Sequence, residues 1–366
     1  MDYTQERVAT LHDYGDADPD VALDRVTVVV PMTEREYAGL AAEGVLAELE
    51  RLDPGRVVVP LRAPPEDVGA FADWLDTFSL PLDVLWCSGP RVEELLDAHG
   101  LDGEQGKGRD VWLGLGQADR DFVVLHDADT ESYEARDVRK LAYPLTEGFD
   151  FAKGYYARVE HQRLYGRLCR LLYEPLLAAL ADRHDHDVVD YLGAFRYALA
   201  GECAMTTDLA HSVRVQRQWG LEVGTLGEVF AHAGPDAAAQ VDLGFYEHDH
   251  RAVSGPAGLE DMSRGVAAAA LRAVTEAGVE LDYDALRDAY REAAGRFVRG
   301  YAADAGFNGF DYDRSAEEKQ VERYAGAVAP PGPDTRLPAW RHTGLDPATV
   351  REAARADLAA AREGER

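Results

Sequence analysis

The stretch FVVLHDADT, residues 122–130, is an apolar, β-branched run that ends on His126, Asp127 and Asp129 where a buried strand would simply stop. Upstream, VTVVVP (26–31), VVVP (57–60) and DVLWCS (83–88) have the same character, with amphipathic segments between them. One of these segments, beginning TEREYAGL, places Tyr37, Leu40, Ala41, Val45 and Leu49 on one helical face. Strand runs alternating with helices predict an α/β fold with a largely parallel sheet, whose ligands bind outside the carboxyl ends of the strands. No GxGxxG, GxxxxGK[ST] or GxSxG element follows any run, so dinucleotide, P-loop and hydrolase chemistries have no support here.

In an extended strand Asp127 and Asp129 project the same way, and two like charges so placed need a positive partner. A divalent cation suits them, since hard cations take carboxylate oxygens and leave positions for substrate phosphates. The alternative is a loop in which one Asp caps the next helix and the other is solvated. A DxDx[TV] phosphotransfer nucleophile is excluded by spacing, because Thr130 directly follows the second Asp and Glu131 comes next. Two further segments could supply partners. GEQGKGRDVWLGL (103–115) sets Lys107 between Gly106 and Gly108 before a helix, where glycines admit an anion and the helix N-terminus adds positive potential. QVDLGFYEHDHR (240–251) carries His248 and His250, either metal ligands or a surface pair in an acidic loop.

The whole chain is strongly acidic: 67 Asp and Glu against 38 Lys and Arg give a formal charge of −29 over 366 residues, and only Lys107, Lys140, Lys153 and Lys319 are lysines. Such a surface repels nucleic acid and anionic membranes, and it suits a cytoplasm of very high salt, where screening weakens self-repulsion. No apolar run approaches the roughly 20 residues of a membrane helix, and the N-terminus is acidic, so a cytoplasmic protein without stable membrane association is expected. Cys87, Cys169 and Cys203 are widely spaced and read as buried thiols. An acidic N-terminal segment (1–23) precedes the strand-rich part (24–145), a mixed region follows (146–255), and the remainder (256–366) reads as helical. In that last part Leu286, Tyr290, Ala293, Phe297 and Tyr301 keep one apolar stripe, VAPPGPDTRLPAW (328–340) is a proline-rich connection, and a terminal helix closes the chain.

Taken in order, VVVP, GKG, a strand ending in DADT, KGYY, GR…PLL, a GE element, GLEVG and QVDLG…H resemble the retaining glycosyltransferases that make glucosyl-3-phosphoglycerate and, more distantly, the mannosyl-3-phosphoglycerate synthases. The resemblance covers residues 24–255 and lies in the ordered set. It implies a GT-A fold, a Rossmann-like nucleotide-sugar half (24–145) with a mixed central sheet and an acceptor-binding half (146–255), here with a C-terminal helical extension. It implies Mg²⁺ or Mn²⁺ held by Asp129, with His248 as second protein ligand. Asp127 and Ala128 would face the nucleotide or sugar, Lys107 the donor diphosphate or base, and Pro31, Thr33 and Glu36 the nucleoside. Glu202, in GECAMT, and Glu222, in GLEVG, would stand near the reaction centre. For the acceptor, Gly166 and Arg167 match the family's Gly-Arg pair, with Arg158, Arg163, Lys153 and Thr206 expected nearby. A guanidinium binds two phosphate oxygens at once, which is the chemistry such a site needs. Three positions depart from the family pattern: MTERE replaces an Asn-Glu pair after the first strand, Cys169 replaces a hydroxyl residue, and Tyr246 replaces an arginine.

The implied activity is transfer of a hexose, glucose favoured, from UDP-glucose (or GDP-mannose) to 3-phosphoglycerate or a similar small anion, with the α-configuration retained. Rival readings are a mannosyl-3-phosphoglycerate synthase-like enzyme, a metal-dependent nucleotidyl- or phosphotransferase, and a non-catalytic nucleotide-sugar-binding protein. A homodimer is one expected form of assembly.

Overall fold

The computed structural model describes residues 5–160, 162–245 and 256–364. The four sequence runs form strands β2 (Val26–Val29), β4 (Arg56–Arg62), β5 (Leu82–Trp86) and β6 (Phe122–Leu125), preceded by β1 (Ala9–Leu11), with the short β3 (Met32–Thr33) between β2 and β4. β7 (Phe151–Ala157), the ribbon β8 (Val159–Glu160) and β9 (Arg163–Leu164), β10 (Cys203–Thr206) and β11 (Ala238–Phe245) follow. The main sheet of the described residues has the order β1-β11-β7-β10-β6-β2-β4-β3, with β5 also on β4. β2, β4, β5 and β6 pair in parallel, whereas β10 runs antiparallel between β6 and β7, so the sheet is mixed. The acidic N-terminal segment is part of it, since β1 lies parallel to β11.

Both faces of the sheet are covered, which is why its strands read as unbroken apolar runs rather than alternating ones. Val28, Val57, Val59 and Val124 pack on one face with α1 (Leu40–Leu52), α2 (Pro65–Leu75) and, further along the chain, Val138 and Leu141. Val29, Val58, Val123 and Leu125 point to the other face, against α3 (Pro90–Ala98) and α4 (Lys107–Leu115). Val138 and Leu141 belong to α5 (Ala135–Thr146). The helical register expected for TEREYAGL is not the observed one. Thr33 and Glu36 close a capping box on a separate single turn, Ala38 takes a positive φ of 48°, and α1 starts only at Leu40. Its buried face is Ala42, Val45, Leu46, Leu49 and Leu52; Leu40 is exposed and Tyr37 packs on Phe71 and Trp74 instead.

After β9 a π-helical stretch, Cys169–Tyr173, leads into α6 (Glu174–Ala181), followed by α7 (Asp187–Leu192), α8 (Thr207–Ala210) and α9 (Leu221–Ala233). The C-terminal region consists of α10 (Pro256–Glu276), α11 (Tyr283–Asn308), α12 (Arg314–Ala325) and α13 (Pro347–Gly364). Leu286, Tyr290 and Ala293 of the expected α11 stripe are buried in the second core, while Phe297 and Tyr301 are half-buried. α13 returns to the first half of the chain. There its buried Asp357 accepts from the backbone N–H of Arg91 (2.9 Å) and Val92 (3.3 Å) and so caps α3. The three cysteines are buried and free, and no helix of the described residues is long and apolar enough to cross a membrane.

Candidate active site at the carboxyl ends of the strands

β2, β4 and β6 end on the same edge of the sheet, and antiparallel β10 begins there, with Cys203 opposite Leu125 and Lys153. This register gathers Pro31, Arg62, Asp127 and Glu202 around one edge. β6 does not stay extended to Asp129, as the alternate-position argument required; it ends at Leu125, and a turn covers Ala128 and Asp129. Both carboxylates still reach one cavity. It measures about 150 Å³ and brings Pro31, Thr33, Glu36, Lys107, Asp127, Ala128 and Asp129 together with three residues not expected there, Met32, Arg62 and Asp110.

Lys107, the first residue of α4, sets its Nζ 2.5 Å from Asp127 Oδ1 and 3.9 Å from Glu222 Oε1. Burial opposes its charge, but Asp127, Glu222 and Asp129 outweigh it and hold the ammonium well above the ordinary lysine value. Burial, then Asp127 and Glu36, push Asp129 up to about 6 despite Lys107. Among the described residues no group of three His, Cys, Asp or Glu side chains is placed to hold a metal ion, so a divalent cation at Asp129 would draw its remaining ligands from the substrate or from residues outside the described ones. Burial, then Asp127, raise Glu202 to about 8, with Lys107 and the Tyr156 phenol tempering the shift. Glu202 is fully buried, and both burial and the Asp127 charge favour its neutral form. His126 is also fully buried, edge-on to Tyr133, and burial lowers it to about 3.

The glycines around Lys107 are required by the packing of the fold. A Cβ on Gly108 would strike the Gln216 carbonyl, and one on Gly106 would come within 2.8 Å of the Arg217 carbonyl oxygen. They let α4 start against the Gln216–Gln218 backbone, with the Arg109 N–H donating to the Arg217 carbonyl at 3.1 Å.

A second cavity of about 650 Å³ adjoins the first and shares Arg62 and Lys107 with it. Arg158, Gly166, Arg167 and Cys169 line one side and Glu222 the other. Gly166 has φ +69°, a left-handed turn against the Tyr197 phenol that only glycine adopts freely. The Arg167 Nε donates to Glu317 Oε1 at 2.8 Å.

Several expected residues are elsewhere. Thr206 pairs with Phe122, at the opposite end of β6 from the acids, where its hydroxyl caps α8. Three residues of strand separate it from that edge, about 10 Å. Arg163 projects from β9 into solvent, 3.7 Å from Asp311, and lines neither cavity. Lys153 is buried and donates to the Ala200 carbonyl, supporting the loop before Glu202 rather than facing a cavity. Glu202 lies beneath the cavities, not on their walls. His248 and Tyr246 fall outside the described residues.

No family model matches the chain. Among curated proteins, the glucosyl-3-phosphoglycerate synthase of Methanococcoides burtonii is 33% identical over 365 residues, covering 92% of this chain and 90% of that protein. That of Persephonella marina is 33% identical over 323 residues, covering 83% and 80%. The chain belongs to the glucosyl-3-phosphoglycerate synthase family. It is thus a glycosyltransferase. A crystal structure of the Mycobacterium tuberculosis glucosyl-3-phosphoglycerate synthase with Mn²⁺, UDP-glucose and phosphoglyceric acid matches at 24% identity and TM-score 0.56, over 75% of this chain and 89% of that one. Another holds Mg²⁺ and UDP. This likeness carries the GT-A fold expected from the sequence.

Met32, Arg62 and Asp110 line the smaller cavity and were passed over by motif reading. The available signal was positional: Arg62 is the first charged residue after VVVPL, on the last position of a strand that ends at the site edge.

Proposed function

We propose that this enzyme transfers glucose from UDP-glucose to the one free hydroxyl of 3-phosphoglycerate with retention of the α-configuration. The observation that carries the reading is a pair of adjoining cavities of opposite character. The smaller is rich in acid, with Glu36, Asp110, Asp127 and Asp129 around Lys107 and Arg62. The larger presents Arg62, Lys107, Arg158 and Arg167 against Glu222, a basic pocket in a chain of charge −29. Acid suits a metal-bound diphosphate and base suits a free phosphorylated acid, and the sugar must cross between them, where Lys107 stands.

In this reading Pro31, Thr33 and Glu36 border the nucleoside, Asp127 and Ala128 face the donor, and Asp129, with His248, holds Mg²⁺ or Mn²⁺. The bound cation supplies charge to the departing diphosphate. Lys107, held charged by its acids, stabilises the same leaving oxygens, and Arg62 does so from the other wall. Arg167 and Arg158 orient the acceptor phosphate. The bond from the anomeric carbon to the diphosphate breaks as the bond to the acceptor oxygen forms on the same face, and the hydroxyl proton passes to the leaving phosphate oxygen. Glu202 lines neither cavity and so takes no covalent part in this reading; it is a buried neighbour of the Asp127 charge. The acidic, lysine-poor surface supports a cytoplasm of high salt as the setting.

The test is UDP release at high KCl with UDP-glucose, with and without 3-phosphoglycerate and Mn²⁺ or Mg²⁺, beside Asp129→Ala. Release that depends on 3-phosphoglycerate and disappears in the variant is expected. Pyrophosphate release in its place would reassign the site to nucleotidyl transfer.

A further inference from the structure

We propose that Glu317, on α12 of the C-terminal region, is a positioning residue for the acceptor: it anchors Arg167 so that the guanidinium's two terminal nitrogens are presented to the acceptor phosphate. The proposal rests on the reading of the larger cavity as the acceptor site.

Glu317 lies about 150 positions after Arg167 in the sequence, and is 3% exposed. Its Oε1 accepts from Arg167 Nε at 2.8 Å and its Oε2 from Arg170 Nη1 at 3.2 Å. Both oxygens are used, so its buried charge is matched by two guanidinium groups, the condition under which a buried carboxylate is tolerated. The two arginines are treated differently. Arg170 is locked: Nε donates to the Tyr165 carbonyl at 2.8 Å, Nη2 to the Leu164 carbonyl at 3.2 Å, and its carbon centre stands 4.8 Å over the Tyr301 ring. Arg167 is held at Nε, its side chain remains 48% exposed, and it lines the cavity. One end of the fork is thus fixed and the other directed at the site.

The backbone agrees with this arrangement. Gly166, left-handed against the Tyr197 phenol, sets the direction in which Arg167 leaves the chain. The π-helical turn that follows, a feature often found at functional sites, carries Arg170. A second tie joins the same two segments, for the Asp311 N–H donates to the Gln162 carbonyl at 2.9 Å. The C-terminal region therefore completes the acceptor pocket rather than merely covering it. An arginine anchored before binding loses fewer rotamers when the phosphate arrives, which favours affinity for a phosphorylated acceptor over one that lacks the phosphate.

The test compares wild type with Glu317→Ala and Glu317→Gln in the full chain at high KCl, using 3-phosphoglycerate and unphosphorylated glycerate as acceptors, with thermal melting as a check on folding. Expected for Glu317→Ala is a rise in KM for 3-phosphoglycerate of roughly tenfold, the scale of one charge-assisted hydrogen bond, with a smaller rise for Glu317→Gln. KM for UDP-glucose and kcat at saturating acceptor stay within about twofold, and so does kcat/KM for glycerate, so preference for the phosphorylated acceptor falls. Glu317→Gln keeps the side-chain volume and one acceptor oxygen, and carries the test if the alanine variant fails to fold. Folded variants with unchanged KM for 3-phosphoglycerate, or with donor and acceptor KM rising together, would overturn the inference while leaving the activity intact. A wild type that neither binds nor glucosylates 3-phosphoglycerate would overturn the acceptor reading itself, and the inference with it.

Discussion

Gly201→Ala adds one methyl group at the point where the loop before β10 passes the Asp127 carboxylate. A Cβ there would stand 2.8 Å from Asp127 Cγ and 3.0 Å from Oδ1, and closer still to Oδ2. Carbon atoms prefer separations of about 3.5–4.0 Å, so the carboxylate has to move by roughly 1 Å. Asp127 is the residue that holds Lys107 at 2.5 Å, and its move takes the lysine with it or breaks the pair. A misplacement of about 1 Å in a reacting constellation is worth on the order of 10²-fold in rate. For the fold the same methyl is mild, because the atom it meets is the end of a side chain facing a cavity; overpacking of this kind costs about 1 kcal/mol. The expected outcome is a kcat for UDP release, at saturating UDP-glucose and 3-phosphoglycerate, lowered about a hundredfold. Melting temperature should fall by only about 2–4 °C. A folded Gly201→Ala enzyme with wild-type kcat would show that the placement of Asp127 does not matter to the reaction, and the role given to the Asp127–Lys107 pair would fall with it.

Gly108→Ala should behave in the opposite way, because its Cβ meets the Gln216 carbonyl, a backbone group that cannot swing aside. A loss of about 2–3 kcal/mol in urea unfolding is expected, and an unchanged midpoint would refute it. Arg62→Ala should raise KM for both UDP-glucose and 3-phosphoglycerate by roughly tenfold, since this side chain walls both cavities; an effect on one substrate alone would place it in a single site. Glu174 gives a pH prediction: burial raises it from 4.5 to about 7, so the fold favours its protonated form. That contribution, about 2–4 kcal/mol, is complete below pH 4.5 and is lost as pH rises through 7, and Glu174→Gln should flatten the stability profile across this window. Identical profiles for the two proteins would count against it.

The strands were legible because a sheet buried on both faces leaves continuous apolar runs, and residues such as Val28 and Val29 fill opposite cores without any polar interruption. The first helix was misphased because Thr33 and Glu36 satisfy their own turn, a local hydrogen-bonding choice that competes with the apolar period. That Pro31, Lys107, Asp127 and Asp129 share one cavity was legible as well, since Pro31, Asp127 and Asp129 come within four residues of a strand's carboxyl end and Lys107 begins a helix. The surroundings of the larger cavity depend on register and on distant segments. Thr206 shares a short segment with Glu202, yet the antiparallel register of β10 carries it to the far end of the sheet. His126 looks like part of the acidic cluster, but its ring turns into the core against Tyr133. Nothing local to Arg167 announces Glu317, whose contact is a property of the folded chain.

The two contacts that motif reading missed share one design. Arg62 donates through Nε to the buried Asp110 at 2.8 Å, and Arg167 through Nε to the buried Glu317, also at 2.8 Å. Each guanidinium is fastened at its inner nitrogen while its side chain lines a cavity. Two of the four lysines, by contrast, are internal: Lys140 pairs with Asp13 and Lys153 with the Ala200 carbonyl. This division has a physical reason. Long-range attraction cannot collect anions onto a chain of net charge −29. What remains is a short, fixed, partly buried contact, and a planar fork anchored at one nitrogen supplies it where a flexible ammonium does not. Buried acids behind the arginines thus keep each guanidinium at its cavity wall, because without them it would be free to turn toward the many surface carboxylates.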